Sequence, residues 1–333
     1  MKSIIIFIDY FGRWPSWFEM FLESCRENST ISWCIHTDCE IPPNTPPNVQ
    51  FMRESFDDYC SEISDKLGVL FRPETPYNLC NLKPMIGHLY RNLHSGYDYY
   101  GWGDLDVIYG DIRSIYTPGV LTHTVISTHR HICSGHLTLF KNDSWLHEAF
   151  LSLEGWKARL ANPVRFQWHE SLTEVGLTAL FCPVTRTRRS FAARIPVREP
   201  SALYYQNNYF REQWTTPFTP KPWIGGQESH PEIWYWRNGV ITNNLDGHRK
   251  FLYLHLMNFK RKCWVNEELY GHSPTWERLP NCMQFEIEEL WKRDEQERNV
   301  RIDRNGIHLE HVPDIPTKQK ASFSGTLSCI PIR

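Results

Sequence analysis

Two aspartates one residue apart have the spacing in this chain that best suits metal chemistry. Asp104 and Asp106 follow the aromatic, strand-like run at residues 97–102. On an extended chain, residues i and i+2 point to the same side, so both carboxylates can reach one point. Oxygen ligands suit a hard cation such as Mg²⁺ or Mn²⁺, which can hold a diphosphate as a leaving group. The alternative is that the Asp pair caps the helix that follows. Asp111, directly before that helix, is a natural N-cap.

The first half of the chain alternates between predicted strands and predicted helices. Apolar runs predict strands at residues 3–8, 31–36, 97–102, 124–127 and 136–140, and helical spacing predicts helices at 14–26, 54–67, 82–93 and 144–153. This order predicts an α/β fold with its ligand site at the carboxyl ends of the strands.

The second half has a different character. Residues 185–231 are rich in Arg, Pro, Tyr and Trp and show little periodicity. Asn238-Gly239 predicts the turn of a β-hairpin, and residues 251–256 predict a further strand. Residues 285–297 predict an amphipathic helix, and the last twenty or so residues predict a mobile tail.

Composition narrows the possible classes of protein. The chain has 333 residues and a net charge of -2, which argues against a general nucleic-acid binder. Its ten cysteines include no C-x-x-C pair, which argues against a structural zinc site and indicates free thiols in a reducing cytoplasm. No apolar run suits a secretory signal or a membrane span, so we expect at most peripheral membrane contact. Fourteen Trp predict a Trp-rich core or, alternatively, stacking surfaces for sugars.

Five segments, in this order, resemble a family of bacterial capsule and lipopolysaccharide glycosyltransferases long catalogued as a domain of unknown function. They are IIIFIDYFGRWPSWFEMFLESC, PYNLCNLKPMIG, YDYYGWGDLDVIYGDI, SGHLTLFKN and FLYLHLMNFKRK. The resemblance covers residues 1–262 and implies a GT-A fold, which is a Rossmann-like, mixed and mostly parallel sheet that binds a nucleotide sugar. It implies a nucleotide-sugar core at 1–182 and an acceptor-side region at 183–262. The predicted helix and tail beyond them indicate a helical extension and tail at 263–333.

The resemblance also implies how a leaving diphosphate is held. Asp104 and Asp106 match the family's Asp-x-Asp motif and would bind Mn²⁺ or Mg²⁺, with His255 as a third metal ligand. Lys260 or Arg261 would offset the charge of the departing nucleoside diphosphate. The alternatives are that His255 is a purely structural residue and that Arg261 and Lys262 form a solvated face.

Residues after the first two strands are expected to bind the nucleotide. Tyr10, Phe11 and Gly12 stand where GT-A proteins hold the base and ribose, and Asp38 would bind a uracil or a ribose unless it is a plain turn residue. A second set, Tyr77, Asn81 and Lys83, precedes a predicted helix. Lys83 would be available to a phosphate or a sugar carboxylate, or it would be a surface lysine.

Two further residues are candidates for contact with the reacting sugar. His136 opens the strand after Gly135, which would permit close approach of a ligand; a satisfied core histidine is the alternative. Glu170, favoured over Glu174, would be a general base, a nucleophile or a stabiliser of the oxocarbenium-like species. An arginine cluster would attract an anionic acceptor or simply be solvated: Arg186, Arg188, Arg189, Arg194 and Arg198.

The sequence therefore predicts a cytoplasmic, metal-dependent glycosyltransferase, with membrane contact confined to the inner face of the cell membrane. The donor would be a nucleoside-diphosphate sugar, a UDP-sugar being favoured, and the acceptor a glycan or lipid-linked glycan of the cell surface. Retention of anomeric configuration is slightly favoured. The rivals are a phosphoryl-transfer enzyme or hydrolase that uses the same Asp pair, and a glycan-binding module with Trp234 and Trp236 as platforms. Donor sugar, acceptor and oligomeric state are left open.

Overall fold

The structure is a computed structural model that describes residues 1–163, 172–182, 206–219, 221–259, 299–303 and 306–310. Its strands are β1 (Ile4–Asp9), β2 (Ile31–Thr37), β3 (Val49–Arg53), β4 (Tyr99–Gly103), β5 (Val107–Tyr109), β6 (Val125–Ser127), β7 (Leu137–Lys141), β8 (Tyr209–Phe210), β9 (Trp234–Arg237), β10 (Val240–Asn243), β11 (Tyr253–His255), β12 (Asn299–Asp303) and β13 (Gly306–Leu309). Its α-helices are α1 (Phe18–Glu27), α2 (Phe56–Leu67), α3 (Ile86–Leu89), α4 (Arg91–His94), α5 (Ile112–Ile115), α6 (Ser144–His147), α7 (Trp156–Leu160) and α8 (Thr178–Phe181).

A seven-stranded sheet with the order β3-β2-β1-β4-β7-β6-β8 forms the centre of the fold. Strands β3, β2, β1 and β4 pair in parallel, β7 is antiparallel to both β4 and β6, and β8 is parallel to β6. The prediction of an α/β fold with a mixed, mostly parallel sheet is confirmed at this level.

Strand β1 is buried on both faces, which explains its unbroken apolar sequence. Ile4, Ile6 and Ile8 join one hydrophobic core with α1, whereas Ile5 and Phe7 join a second core with α2. Helix α2 is capped at its N-terminus by the Ser55 side chain, which accepts a hydrogen bond from the Asp58 amide. At its C-terminus it is capped by Gly68 in the left-handed conformation. The sheet therefore lies between two helical layers.

The strand order changes direction at β1. The chain builds β2 and β3 outward on one side of β1 and then places β4 on its other side. In open α/β sheets, ligands bind in the crevice outside the carboxyl ends of the strands at such a switch point. The residues that follow β1 and β4 are therefore the ones this topology brings to a ligand site.

A second sheet has the order β10-β9-β12-β13. The predicted hairpin is confirmed, with Asn238 (φ 45°) and Gly239 (φ 76°) in its turn. Strands β12 and β13 lie within the predicted helical extension 263–333, so this part of that prediction is wrong. The predicted platforms Trp234 and Trp236 are also wrong, since both side chains are 0% exposed in the core of this sheet.

Local differences from the predicted elements have identifiable causes. The predicted helix 82–93 is a 3₁₀ helix (Pro76–Met85) followed by the single turns α3 and α4, and Pro84 lacks the N–H that an α-helix would need there. The predicted helix 144–153 is α6 followed by a 3₁₀ turn (Ala149–Ser152). The predicted helix 285–297, the tail and the arginine cluster lie outside the described residues.

Two predictions about the whole chain can be examined on the described residues. None of their helices has the length and hydropathy to cross a membrane. None of the seven cysteines among them forms a disulfide bond: Cys25, Cys34, Cys39, Cys60, Cys80, Cys133 and Cys182.

A buried histidine should make the protein less stable in mild acid. The Nε2 atom of His147 lies 2.8 Å from Asn142 Oδ1, while its Nδ1 is buried without a hydrogen-bond partner among the described residues. Burial, with the nearby His94 and Arg91, lowers the pKa of His147 to about 4. The unfolded chain takes up this proton at about pH 6.5, so the free energy of unfolding should fall as the pH drops from about 6.5 to 4.

The variant His147→Gln should therefore lose about 1–2 kcal/mol less stability between pH 7 and pH 5 than the unmodified protein. Denaturant unfolding at both pH values measures this difference. The exposed His248 supplies the control, because His248→Gln should leave the pH dependence unchanged. Equal losses in the His147 variant and the unmodified protein would contradict the expectation.

Candidate functional site

A bend between β4 and β5 presents the Asp pair at the predicted edge of the sheet. Leu105 is buried at the centre of this bend, and its carbonyl accepts a hydrogen bond of 2.8 Å from the indole Nε1 of Trp17. The carbonyl of Asp106 accepts a 2.7 Å bond from the amide of Leu256. The two aspartates are thus positioned by a bend that is held from two sides, rather than by an extended strand.

His255 lies beside Asp106 because β11 pairs antiparallel with β5, with His255 opposite Val107. Its Nε2 atom is 3.4 Å from Asp106 Oδ2, and its Nδ1 atom is 3.0 Å from the hydroxyl of Thr216. The side chains of His255 and Asp106 are only 5% and 16% exposed. A hydroxyl that holds Nδ1 thus orients Nε2 toward the carboxylate.

Lys83 forms an ion pair with the other aspartate. Its ammonium donates hydrogen bonds to Asp104 Oδ1 and, at 2.6 Å, to the carbonyl of Gly135. Burial lowers the pKa of Lys83, but attraction to Asp104 outweighs burial and the pKa is raised above its usual value. The lysine therefore carries its charge at every physiological pH.

The fit of a divalent cation depends on which of these groups it can use. Within the described residues, no group of three or more His, Cys, Asp or Glu side chains is arranged to hold a metal ion. Asp106 and His255 offer one oxygen and one nitrogen, whereas Asp104 is engaged by Lys83. Mg²⁺ is commonly held by one or two carboxylates together with substrate phosphates, and the carboxylate of Asp106 fits that pattern. The predicted set of three protein ligands stays a prediction for the substrate-bound protein.

The loops after β1 and β2 are joined to each other. The amide of Gly12 (φ 119°) donates a 2.7 Å hydrogen bond to Asp38 Oδ1. Tyr10 stacks on Trp14 with ring centroids 5.5 Å apart, and burial, followed by negative charge at Cys39 and Asp106, raises the pKa of Tyr10 to about 12. Tyr10 thus lies near the Asp pair.

Phe11 has a different position from its neighbours. Its side chain is 5% exposed and packs on Phe56 and Tyr59, with ring centroids 5.2 and 4.9 Å away. The ring of Phe11 therefore belongs to the hydrophobic core, and only its backbone lies in the loop beside Gly12.

The two other candidates of the PYNLCNLKP segment also differ in position. Burial, followed by negative charge at Cys80 and Asp104, raises the pKa of Tyr77, which places this phenol near the Asp pair. The side-chain oxygen of Asn81 accepts a 3.3 Å hydrogen bond from the amide of Leu172. Asn81 thus connects this segment to the turn at Leu172–Leu177.

His136 precedes β7, which runs antiparallel to β4, so it reaches the same edge of the sheet. Its Nδ1 atom lies 2.9 Å from the Tyr253 hydroxyl and 3.1 Å from the Ser134 hydroxyl, and its ring centroid is 4.0 Å from that of His255. Burial, followed by positive charge at His255, lowers the pKa of His136 well below its usual range. His136 is therefore a neutral imidazole at pH 7.

Glu174 is the acidic residue that the structure places next to this group. A Cβ atom on Gly135 would lie 2.9 Å from Glu174 Oε1, the far end of a flexible side chain, so the two segments lie close together at this point. Gly135 also accepts the hydrogen bond from Lys83. The favoured acid, Glu170, and the predicted cations Lys260 and Arg261 lie outside the described residues.

Comparison with known families gives one decisive match. Residues 5–273 match a family of unknown function, DUF6625. The chain belongs to the DUF6625 family. The matched residues include all five segments on which the glycosyltransferase resemblance depends, except Ile4 at the start of the first.

Comparisons of this DUF6625 chain with individual proteins are less informative. No curated protein matches it. One solved structure that is similar to it is the glycosyltransferase GlyE of Streptococcus pneumoniae TIGR4, at 10% identity and a TM-score of 0.24, over 69% of this chain. The aligned part spans 57% of the GlyE chain. A similarity this low carries no argument about fold or activity.

The structure adds residues to the DUF6625 site that sequence analysis missed. They are His129, Glu212, Thr216 and Tyr253. Tyr253 could have been recognised from the sequence, because in the predicted strand 251–256 it lies on the same face as the candidate His255. The other three lie in loops after β6 and β8, where no periodicity shows which residues face the sheet edge.

Proposed function

We propose that this DUF6625 protein is a glycosyltransferase that uses a nucleoside-diphosphate sugar. The observation that carries this proposal is the convergence of Lys83, Asp104, Asp106 and His255 at the switch point of the sheet. Two carboxylates, a lysine ammonium and an imidazole suit a bound diphosphate and its counter-ion.

We propose that Asp106 and His255, with Asp104 once Lys83 releases it, hold Mn²⁺ or Mg²⁺ together with the donor. When bound, the cation would neutralise the negative charge of the diphosphate leaving group. Lys83 would exchange its contact with Asp104 for a phosphate oxygen, and Lys260 or Arg261 would add a further cation from a later part of the chain. The neutral His136 can exchange hydrogen bonds with sugar hydroxyls without introducing a charge.

The nucleoside would be bound at the ends of β1 and β2. Stacking of Tyr10 on Trp14 supports a role for this aromatic pair beside the base. Asp38 uses one carboxylate oxygen for Gly12, and the same carboxylate can accept a hydrogen bond from a ribose hydroxyl or a uracil N–H. The proposed donor is a UDP-sugar.

The acceptor would be a glycan or lipid-linked glycan of a bacterial capsule or lipopolysaccharide, bound near residues 183–262. Glu170 would act at the sugar, and transfer would retain the anomeric configuration. The protein would work in the cytoplasm with at most peripheral contact at the inner face of the membrane.

Nucleotide binding is the direct test. The full chain is titrated with UDP, GDP, CDP and TDP, each with Mn²⁺ and with EDTA, while thermal unfolding and calorimetry are followed. A ligand that binds the folded state stabilises it by RT ln(1 + [L]/Kd), so one diphosphate should raise the melting temperature and do so only with metal. The corresponding monophosphate is the matched control, because it lacks the second phosphate for the cation.

Other outcomes contradict particular parts of the proposal. Absence of binding for every diphosphate would contradict the transferase, and sugar binding that ignores EDTA and nucleotides would favour a glycan-binding module. Cleavage of a phosphoester without any sugar donor would favour a hydrolase. Recovery of a product with inverted configuration by NMR would contradict retention alone.

A further inference from the structure

A second histidine-carboxylate pair lies at the same edge of the sheet. His129 follows β6 by two residues, and Glu212 follows β8 by two residues. Because β6 and β8 are parallel neighbours, their carboxyl ends bring these two loops together. His129 Nδ1 lies 3.1 Å from Glu212 Oε2.

The carboxylate of Glu212 is fully engaged. Its Oε1 atom accepts a 3.1 Å hydrogen bond from the amide of Trp214, while its Oε2 atom faces His129. Burial raises the pKa of Glu212, but the hydrogen bond and charge of His129 outweigh burial and the pKa is lowered. Since an ionised carboxylate can only accept hydrogen bonds, Nδ1 of His129 must carry the proton.

This arrangement leaves the other ring nitrogen of His129 available. No described residue makes a hydrogen bond to its Nε2, and in a neutral imidazole protonated at Nδ1 this is the basic atom. The side chain of His129 is 14% exposed, so a small ligand can reach it. The geometry is that of an imidazole base oriented by a carboxylate.

The segment at residues 212–216 orients both His129 and His255. Glu212 binds the first imidazole, and four residues later the hydroxyl of Thr216 binds Nδ1 of the second at 3.0 Å. Between them Trp214 adopts φ 51°, a conformation that a bulky side chain rarely takes and that is found mostly where function or packing requires it. One short strained segment thus orients two imidazoles by the same ring atom.

The ring of His136 lies close to the imidazoles of both His129 and His255. Its ring centroid is 5.0 Å from that of His129 and 4.0 Å from that of His255. His129 therefore lies one ring away from the pair proposed to hold the cation, at a position where it touches neither Asp104 nor Asp106 in any described contact.

We infer that His129, oriented by Glu212, is the base that takes the proton from the acceptor hydroxyl. This inference rests on the proposed function. The hydroxyl oxygen forms a bond to the anomeric carbon on the face from which the diphosphate leaves, as the proposed retention requires, and the bond from that carbon to the diphosphate oxygen breaks with its electron pair on the leaving diphosphate. The hydroxyl proton moves to Nε2 of His129, and the carboxylate of Glu212 balances the imidazolium charge. His129 is the catalytic residue, and Glu212 is a positioning residue.

The tautomer of His129 can be measured without any turnover. Long-range ¹H–¹⁵N spectra of the full chain, with the His129 signal assigned through His129→Gln, should show that the neutral ring carries its proton on Nδ1 and not on Nε2. Addition of UDP-glucose or UDP-galactose with Mn²⁺ should shift the His129 signal. A proton on Nε2 instead of Nδ1 would overturn the inference even if nucleotides bind as proposed.

The second test of the role of His129 is kinetic, with these UDP-sugars as donors and simple methyl glycosides as acceptors. His129→Ala should lower kcat about 10²–10⁴-fold, leave the KM of the donor unchanged and recover activity with added imidazole. Glu212→Gln should lower kcat without changing KM or the Kd of UDP. An unchanged kcat in His129→Ala, or a loss confined to nucleotide affinity, would overturn the inference.

A histidine at the other end of the same strand is the matched control. His123 precedes β6, and its Nδ1 bonds the carbonyl of Val120 at 2.9 Å. His123→Ala should leave kcat, KM and UDP binding unchanged. Failure of UDP to bind the unmodified protein would count against the proposed function, whereas normal UDP binding with an unaffected kcat in His129→Ala would count against His129 alone.

Discussion

Replacing Asp106 with Asn should abolish the metal-dependent part of nucleotide binding. The substitution keeps the shape of the side chain and removes the charge that faces His255 Nε2 at 3.4 Å. Loss of a group that only supports a metal ligand commonly weakens metal binding about 10–100-fold, so loss of the ligand itself should cost on the order of 100-fold or more. That change corresponds to about 3 kcal/mol of binding free energy.

The measurement is a calorimetric titration of UDP in Mn²⁺ and in EDTA, for the unmodified chain and for Asp106→Asn. The two conditions should differ strongly for the unmodified chain and little for the variant. Asp111→Asn is the matched control, because Asp111 is a half-buried N-cap that accepts a hydrogen bond from the Ser114 amide outside the site. Tight Mn²⁺-dependent binding of UDP by Asp106→Asn would show that the cation does not depend on Asp106.

The apo stability of Asp106→Asn separates a lost ligand from a damaged fold. The substituted residue would still supply the backbone carbonyl that accepts from the Leu256 amide, and this bond holds the bend. The melting temperature without ligand should therefore stay close to that of the unmodified chain. A large drop would indicate that the charge of Asp106 serves the fold rather than a ligand.

Local sequence signals were sufficient for the strands of the central sheet. Continuous apolar runs such as residues 4–8 are buried on both faces and can be recognised without knowledge of the neighbouring strands. The Asp pair after β4 was also recognisable, because the carboxyl end of a parallel strand is a known place for ligands. Strand β5 has only three residues, which is too short for any periodic pattern.

Contacts between distant segments were not predictable from local sequence patterns, and only the family resemblance placed His255 with the Asp pair. The approach of His255 to Asp106 depends on pairing between β5 and β11, which are separated by more than a hundred residues. The partner of Lys83 was missed because its segment was read as the start of an α-helix, whereas it is a 3₁₀ helix interrupted by Pro84. The pair of His129 and Glu212 depends on the two-residue strand β8, which has no sequence signature.

Replacing Lys83 with Met should destabilise the protein as well as weaken nucleotide binding. The side chain of Lys83 is 11% exposed, and its loss leaves the Asp104 carboxylate and the Gly135 carbonyl without their donor. Removal of one partner of a fully buried pair costs about 3–5 kcal/mol, but Asp104 is 30% exposed and can be hydrated. We therefore expect a loss of about 2 kcal/mol in the free energy of unfolding.

The double variant Lys83→Met/Asp104→Asn removes both charges together. If the cost arises from the unpaired carboxylate, the double variant should be more stable than Lys83→Met alone. Lys141→Met is the matched control, since the ion pair of Lys141 with Asp143 lies at the surface and such pairs contribute less than about 1 kcal/mol. Urea denaturation of the four proteins measures these differences.

The pH dependence of the stability difference tests the charge of Lys83 separately from the packing of its side chain. The pKa of Lys83 is raised on folding, so its ion pair stabilises the protein fully below the unfolded lysine value of about 10.4 and loses that effect only as the pH rises further. The stability difference between the unmodified chain and Lys83→Met should therefore be constant from about pH 6 to pH 9. A difference that closes within this interval would mean that Lys83 is not the charged partner of Asp104. In that case the contact would have to be attributed to packing of the lysine stem, and Lys83 would lose its role in holding a phosphate.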